Sequence, residues 1–196
     1  MTETADTACV NAEQRAFWNS EVSERWVAQQ HILDHLMEAL TRRLRERSAI
    51  AGGERVVDVG CGAGTTSLAL AGLVGESGRI LGIDISEPML ARARQRAAAA
   101  GVHNVEFRIA DAQTYGFEAG GFDLVSSRFG VMFFEAPTAA FANLATALRS
   151  GGRLACVSWA PLADNPWFRI PREVAIGHLG APEPASPTAP GALAFA

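Results

Sequence analysis

The segment Arg55-Val-Val-Asp-Val-Gly-Cys-Gly-Ala-Gly64 decides the fold of this chain. Its run Val56–Val59 is short and apolar, which is typical of a strand buried on both faces, and it carries one acid, Asp58. A second apolar run, Arg79–Ile83, leads into Asp84 about twenty residues later. A buried strand, a glycine turn and a second strand that ends in an acid predict a site for the adenosine part of a cofactor. The turn contains three alternating glycines: Gly60, Gly62 and Gly64.

Strand-like and helix-like segments alternate through the middle of the chain. The helix before the third strand is the clearest, because Ser86 can cap it, Pro88 suits its first turn and Gly101 can end it. The alternation predicts an α/β fold with a parallel sheet and right-handed crossovers. The predicted strands are residues 55–59, 79–83, 105–109, 122–126 and 153–159.

The two ends of the chain differ from this middle part. Residues 1–12 are predicted to be frayed, and a helical pattern that begins with aromatic residues runs from Glu13 to about Arg47. Residues 181–190 contain four prolines and are typical of a linker. Since a linker normally leads to something, we expect this chain to be the front part of a longer protein.

Composition narrows the classes of function. The 196 residues carry a formal net charge of −4, which disfavours nucleic acid as a partner, since phosphate binding needs a basic face. No apolar run approaches the ~20 residues of a membrane span, and the polar, acidic N-terminus does not resemble a signal peptide. Three scattered cysteines suit a reducing compartment, so we expect a cytoplasmic protein without a membrane partner.

The glycine loop allows three interpretations. A tight turn without a ligand is the simplest, but three alternating glycines and two strand-end acids exceed what a turn requires. A nicotinamide or flavin dinucleotide matches the pattern G-x-G-x-x-G, whose third glycine falls where this chain has Thr65. S-adenosylmethionine has no phosphates and needs bare backbone beside its ribose and methionine chain, which Gly60 and Gly62 offer. The residues favour S-adenosylmethionine and leave the other two interpretations open.

Five motifs lie within residues 50–160: Val57–Gly64, Gly82–Leu90, Ile109–Gln113, Phe122–Gly130 and Leu148–Leu154. Together they resemble the motif series of the class I S-adenosylmethionine-dependent methyltransferases. The nearest branch is similar to the small-molecule methyltransferases that include the ubiquinone and menaquinone C-methylating enzymes. The resemblance implies methyl transfer from S-adenosylmethionine to an oxygen, nitrogen or carbon atom of a small molecule.

The resemblance also implies an architecture. It is a three-layer Rossmann-like sandwich, with a helical lid over residues 1–50, a cofactor-binding α/β core over residues 51–160, and a partial lid helix and proline-rich tail over residues 161–196. The family's seven-stranded sheet ends in an antiparallel strand pair that has no counterpart in this chain. We therefore expect the fifth strand to be an uncovered apolar edge, because the chain is truncated or because another chain, such as a second copy, covers it.

Individual residues acquire roles from the same resemblance. Asp84 would bind both ribose hydroxyls, Asp111 would accept a hydrogen bond from the adenine amino group, and Trp26 would contact the ligand from the lid. The other implied cofactor-binding residues are Asp58, Gly60, Cys61, Gly62 and Gly64 around the first strand's turn, Ile85 and Met89 after the second strand, Ala112 and Gln113 after the third, and Ser127, Arg128 and Phe129 after the fourth.

The reaction itself requires little from the protein, because the sulfonium already activates the methyl group. Aromatic faces would help by cation–π attraction, and Trp18, Trp26, Phe129 and Phe133 are candidates. His178, in the helical stretch after the fifth strand, is the best single candidate for a general base. His31 and His35 lie one helical turn apart, but no third ligand is visible, so no metal site is predicted. A cofactor-binding domain without turnover and an NAD(P)-dependent oxidoreductase are the alternative functions.

Overall fold

The computed structural model describes residues 10–182 and 189–195. Its strands form one sheet in which every pairing is parallel, which confirms the predicted α/β class. Within the described ranges no strand pairs antiparallel, and β5 pairs with β4 alone. The strands are β1 (Arg55–Val59), β2 (Arg79–Asp84), β3 (Val105–Ile109), β4 (Phe122–Arg128) and β5 (Leu148–Val157), in the order β3-β2-β1-β4-β5.

Short helices replace the long helical stretch that the sequence pattern predicts at the N-terminus. The first break falls at Ser20, whose hydroxyl caps the next helix by accepting the Val22 N–H at 3.3 Å. None of the helices in the described ranges is both long and apolar enough to cross a membrane. The helices are α1 (Ala12–Trp18), α2 (Glu21–Ala28), α3 (Gln30–Leu36), α4 (Glu38–Ser48), α5 (Thr65–Val74), α6 (Glu87–Ala99), α7 (Pro137–Ala147) and α8 (Pro166–Leu179).

The start of β5 differs from the prediction. The glycine pair at 151–152 predicts a turn before a strand at Arg153, but β5 already begins at Leu148, which pairs with Phe122. The register then shifts, so that Leu124 pairs with Arg153. The glycines therefore form an irregularity inside the strand, where the positive φ of Gly151 (76°) is tolerated.

Helices cover both faces of the sheet, giving three layers. Alternate residues of a strand point to opposite faces, so Val56 packs with Leu70 of α5, whereas Val57 packs with Leu144 of α7. All four side chains are at most 2% exposed. Burial on both faces explains why β1 is almost continuously apolar.

The order of the strands places a crevice beside β1. The chain proceeds from β1 to β2 and β3 on one side and continues with β4 and β5 on the other. Ligands of open α/β sheets bind outside the carboxyl ends of the strands at such a reversal. The turns that follow β1 and β4 should therefore border the site.

Two glycines bring these turns into backbone contact. A Cβ on Gly60 would lie 2.6 Å from the Cα of Gly130, and a Cβ on Gly130 would lie 2.5 Å from the carbonyl oxygen of Val59. Gly60 also has a φ of 65°, which side chains rarely adopt. Neither turn has room for a side chain at the point of contact.

We expect Gly130→Ala to destabilise the protein by about 1–3 kcal/mol, because the added methyl group would overlap backbone atoms that cannot rotate away. Gly60→Ala should cost at least as much, since it adds backbone strain. Gly72→Ala is the matched control: nothing lies within 4 Å of its Cβ position, and its place in α5 predicts a gain of up to about 1 kcal/mol. Urea unfolding measures all three; equal effects at Gly130 and Gly72 would contradict the contact.

Candidate functional site

A cavity of about 420 Å³ lies at the carboxyl ends of the strands. The turns after β1, β2, β3 and β4 all contribute to its walls, and helices α1 to α3 contribute side chains from the N-terminal part. The cavity therefore occupies the crevice that the strand order predicts. Helix-borne lining residues include Trp18, Trp26, Gln30, Leu33 and Asp34.

Asp84 ends β2 at this cavity. Its Oδ2 accepts the Gly62 N–H at 2.7 Å, and its Oδ1 accepts the Ser86 N–H at 2.9 Å. Burial raises the pKa of Asp84, while these amide hydrogen bonds oppose the shift. A carboxylate has about four acceptor positions, so two remain for other donors. Ser86 occupies the N-cap position of α6, as predicted, but its hydroxyl has no hydrogen-bond partner.

Asp111 lies after β3 and is 5% exposed. Its Oδ1 accepts the Gln113 N–H at 2.9 Å, and its Oδ2 accepts the side-chain amide of Asn11 at 2.7 Å. Asn11 in turn exchanges two hydrogen bonds with Glu135, of 2.7 and 2.9 Å. Asn11 also lines the cavity, although the sequence predicts residues 1–12 to be frayed. No local motif marks this asparagine, because its partners are 100 and 124 positions away.

Asp58 lies behind the glycine loop and not in the cavity wall. It is 1% exposed, its Oδ2 accepts the Ser67 hydroxyl at 2.6 Å, and its Oδ1 has no hydrogen-bond partner. Burial raises the pKa of Asp58 to about 7. The carboxyl group can therefore gain or lose a proton near neutral pH directly beneath the loop.

A polar cluster joins α3 to the start of α5. Asp34 Oδ1 accepts the Thr65 hydroxyl at 2.5 Å, and Asp34 Oδ2 accepts Arg96 at 2.9 Å. Gln30 donates to the same carboxylate and accepts from Arg92 at 3.1 and 3.2 Å. Asp34, Gln30 and Thr65 line the cavity, and none of the three is predicted from the sequence. Gln30 and Asp34 lie one helical turn apart on α3, but their other partners lie on α5 and α6, so spacing along the chain gives no signal for the cluster as a whole.

Arg128 adds a positive charge to the cavity wall at the end of β4. Its guanidinium donates to the Thr41 hydroxyl at 2.7 Å, and burial lowers its pKa. Asp34 and Asp58 oppose this shift by favouring the charged form. The cavity thus presents carboxylates and a guanidinium within one largely apolar wall.

The structure brings most of the predicted site residues to this cavity. Those that line it are Trp26, Gly60, Cys61, Gly62, Asp84, Ile85, Met89, Asp111, Ala112, Arg128 and Phe129. The aromatic candidates Trp18 and Phe133 line it as well, and their rings meet edge to face at 5.2 Å. Residues from several separate segments thereby share one site.

Other predicted residues lie outside the wall. Ser127 donates to the Val59 carbonyl at 2.8 Å, and Gln113 accepts the Ala136 N–H at 2.9 Å, so both support neighbouring turns. Gly64 allows close packing, because its Cβ position is 2.9 Å from Ala93 Cβ.

His178 does not reach the cavity. It is exposed in the last turn of α8, roughly 16 Å along the helix from Trp167, which does line the cavity. All four histidines lie in the described residues, and none lines the cavity. Across the described ranges, no group of three His, Cys, Asp or Glu side chains is arranged to hold a metal ion.

The fold and the site define an α/β protein whose cavity lies at the carboxyl ends of its strands, the position at which open α/β sheets bind their ligands. Comparison with known proteins identifies the class. Residues 56–152 match the family model described as a methyltransferase domain. The chain is 41% identical over 117 residues to aklanonic acid methyltransferase of Streptomyces sp. strain C5, which covers 60% of this chain and 53% of that protein.

Two further proteins are similar to this chain, one in sequence and one in fold. The ubiquinone/menaquinone biosynthesis C-methyltransferase of Azotobacter vinelandii is 32% identical over 151 residues, covering 74% of this chain and 60% of that protein. The crystal structure of a SAM-dependent methyltransferase from Aquifex aeolicus superimposes with a TM-score of 0.56 at 20% identity, covering 67% of this chain and 77% of that one. The latter likeness concerns the fold alone.

Residues 56–152 form a methyltransferase domain of the class I S-adenosylmethionine-dependent type. The resemblance to the small-molecule branch is confirmed, and the oxidoreductase alternative is not supported. The chain spans about half the length of the curated relatives that it matches.

Asp58 gives a pH-dependent prediction. Its folded-state pKa of about 7 exceeds the ordinary value of 3.8, so the folded protein binds this proton more tightly than the unfolded chain does. Stability should therefore fall as pH rises from about 4 to 7, by an amount on the order of 2–4 kcal/mol. Asp58→Asn should remove this dependence, so its stability relative to the wild type should increase with pH in urea unfolding.

Asp123→Asn is the opposite-sign control. Hydrogen bonds from the Arg55 N–H and from Arg149 lower the pKa of Asp123, so its contribution to stability is present at neutral pH and is lost as pH falls through the folded-state pKa. The Asp123→Asn deficit should therefore shrink in acid. A constant difference between Asp58→Asn and wild type across pH 4–7 would contradict the assignment of a raised pKa to Asp58.

Proposed function

We propose that this chain binds S-adenosylmethionine in the cavity and transfers its methyl group to an oxygen, nitrogen or carbon atom of a small molecule. One observation carries the proposal: Asp84, Asp111 and the bare backbone of Gly60 and Gly62 face the same cavity. Carboxylates at the ends of β2 and β3 suit the ribose hydroxyls and the adenine amino group of the cofactor. A turn without side chains leaves room for the ribose and the methionine part of the cofactor to lie against the backbone.

The residues divide into groups by the part of the cofactor they would hold. Asp84 would accept from the ribose and Asp111 from adenine, with Ile85, Met89 and Ala112 as the apolar surround. Asp34 and Arg128 offer opposite charges to the ammonium and carboxylate of the methionine part, and the first turn of α5 offers free N–H groups to the carboxylate. Asp58, Gly64, Gln113 and Ser127 would act from behind, by fixing the turns that carry these groups.

When bound, S-adenosylmethionine supplies a methyl group that its sulfonium has already activated. The work left to the chain is to hold the reactants in line and to exclude water. Trp18, Trp26 and Phe133 support this role, because their edge-to-face contacts at 5.2 and 5.9 Å form one aromatic side of the cavity. We assign no general base, since His178 lies away from the cavity.

We also propose the division of labour among the three regions. Residues 1–50 act as a lid, which is supported by the hydrogen bonds that Asn11 and Asp34 make to the core. Residues 51–160 form the cofactor-binding core, and residues 161–196 contribute a partial lid helix through Trp167. Residues 1–9, 183–188 and 196, which include much of the proline-rich stretch, lie outside the described residues.

Asp84→Ala tests the cofactor assignment. Loss of two charge-assisted hydrogen bonds to the ribose should raise the Kd for S-adenosylhomocysteine by about 100-fold or more in titration calorimetry. Because Asp84 also binds the Gly62 and Ser86 N–H groups, thermal melting without ligand must confirm that the variant folds. Asp164→Ala, an exposed acid outside the cavity wall, should leave the Kd unchanged. An unchanged Kd in Asp84→Ala would refute the ribose assignment.

The edge of β5 supports a further proposal, that two copies of the chain associate there. Leu154 is 44% exposed on this edge, and an uncovered apolar strand favours pairing. Sedimentation equilibrium should show a dimer that Leu154→Lys weakens; a wild-type monomer at all concentrations would contradict it.

The free thiols of Cys61 and Cys156 suit a reducing cytoplasm, which cell fractionation would test.

A further inference from the structure

Three aromatic side chains form one wall of the cavity, which we call the aromatic wall: Phe129, Trp159 and Trp167. The rings of Phe129 and Trp159 stack at 4.5 Å with an interplanar angle of 17°, and Trp167 meets Trp159 at 4.9 Å and 52°. These residues follow β4 and β5, whereas Asp84 and Asp111 follow β2 and β3 on the other side of β1. The aromatic wall is thus separate from the carboxylates that would hold adenosine.

The backbone holds Phe129 in an unusual conformation. Its φ is 70°, a left-handed value that only two other non-glycine residues of the described chain adopt. Its N–H donates to the Val157 carbonyl at 2.9 Å, which ties the turn after β4 to the end of β5. Such strain persists only where the surroundings enforce it, and it is often found at ligand sites. The result is a ring fixed in position beside the cavity.

The aromatic wall retains surface that the core does not use. Trp167 is 60% exposed, and Trp159 is half-buried. Large aromatic side chains contribute most when buried, and a flat ring stacked against them would cover that surface. None of the three side chains of the aromatic wall carries a charge, so aliphatic polar or multiply charged acceptors would find few partners on it.

We propose that the acceptor of the methyl group is a planar aromatic molecule that stacks on the aromatic wall. This inference rests on the proposed function, because it places the acceptor in the half of the cavity that the cofactor leaves free. Stacking on the rings of Trp159 and Trp167 would favour a π-face over a saturated ring of the same size.

Two hydroxylated bicyclic probes test the proposal. 2-Naphthol and decahydro-2-naphthol have the same carbon skeleton and hydroxyl position, but only the first is planar. In NMR titrations of the full chain saturated with S-adenosylhomocysteine, 2-naphthol should bind about tenfold more tightly. Trp159→Leu and Trp167→Leu should each reduce that preference about three- to tenfold while the Kd for S-adenosylhomocysteine stays within about twofold.

Phe168→Leu is the matched control, because Phe168 is the neighbour of Trp167 on α8 but does not line the cavity; it should keep the preference. Trp167 is exposed, so Trp167→Leu should fold even if Trp159→Leu does not.

Equal binding of the two probes to wild type, with normal S-adenosylhomocysteine binding, would overturn this inference alone. If Trp167→Leu weakened S-adenosylhomocysteine binding as much as it weakened 2-naphthol binding, the aromatic wall would belong to the cofactor site, and this inference would also be overturned. If wild type binds no S-adenosylhomocysteine, the proposed function fails and this inference fails with it.

Discussion

The contact between Gly60 and Gly130 is the constraint on which the site depends. Two turns, one after β1 and one after β4, approach so closely that a Cβ on either glycine would lie within 2.6 Å of the other turn's backbone. Ser127 reinforces the contact by donating to the Val59 carbonyl and accepting the Val131 N–H. Because β1 and β4 are neighbours at the reversal of strand order, this contact fixes the floor of the crevice.

This floor separates two chemically different halves of one cavity. On the β2–β3 side, the half-buried carboxylate of Asp84 and the buried carboxylate of Asp111 face bare backbone, an arrangement that suits a ligand rich in hydroxyl and amino donors. On the β4–β5 side, stacked rings and a partly buried guanidinium replace them. Methyl transfer requires the methyl donor and the acceptor to meet end to end. The boundary between the two halves, above Gly60 and Gly130, is where we expect the two ligands to meet.

Features that depend on a short, continuous sequence motif could be predicted from the sequence. A glycine turn between an apolar strand and an acid requires a particular backbone, so the sequence alone could predict that Gly60, Gly62 and Asp84 border the cavity. Asn11, Asp34 and Trp159 could not, because each contributes through partners or walls that are distant along the chain. The N-terminal helices differ from the prediction for a related reason: helical periodicity predicts the state of the residues but not the breaks at Ser20, Gln29 and Met37.

A crystal structure of the chain with S-adenosylhomocysteine would test the division of the cavity most directly. We expect the ribose hydroxyls on the carboxylate of Asp84, the adenine beside Asp111, and the sulfur near the junction of Gly60 and Gly130, with the faces of Trp159 and Trp167 uncovered. Adenine stacked on Phe129 or Trp159, with Asp84 free of the ribose, would contradict this arrangement.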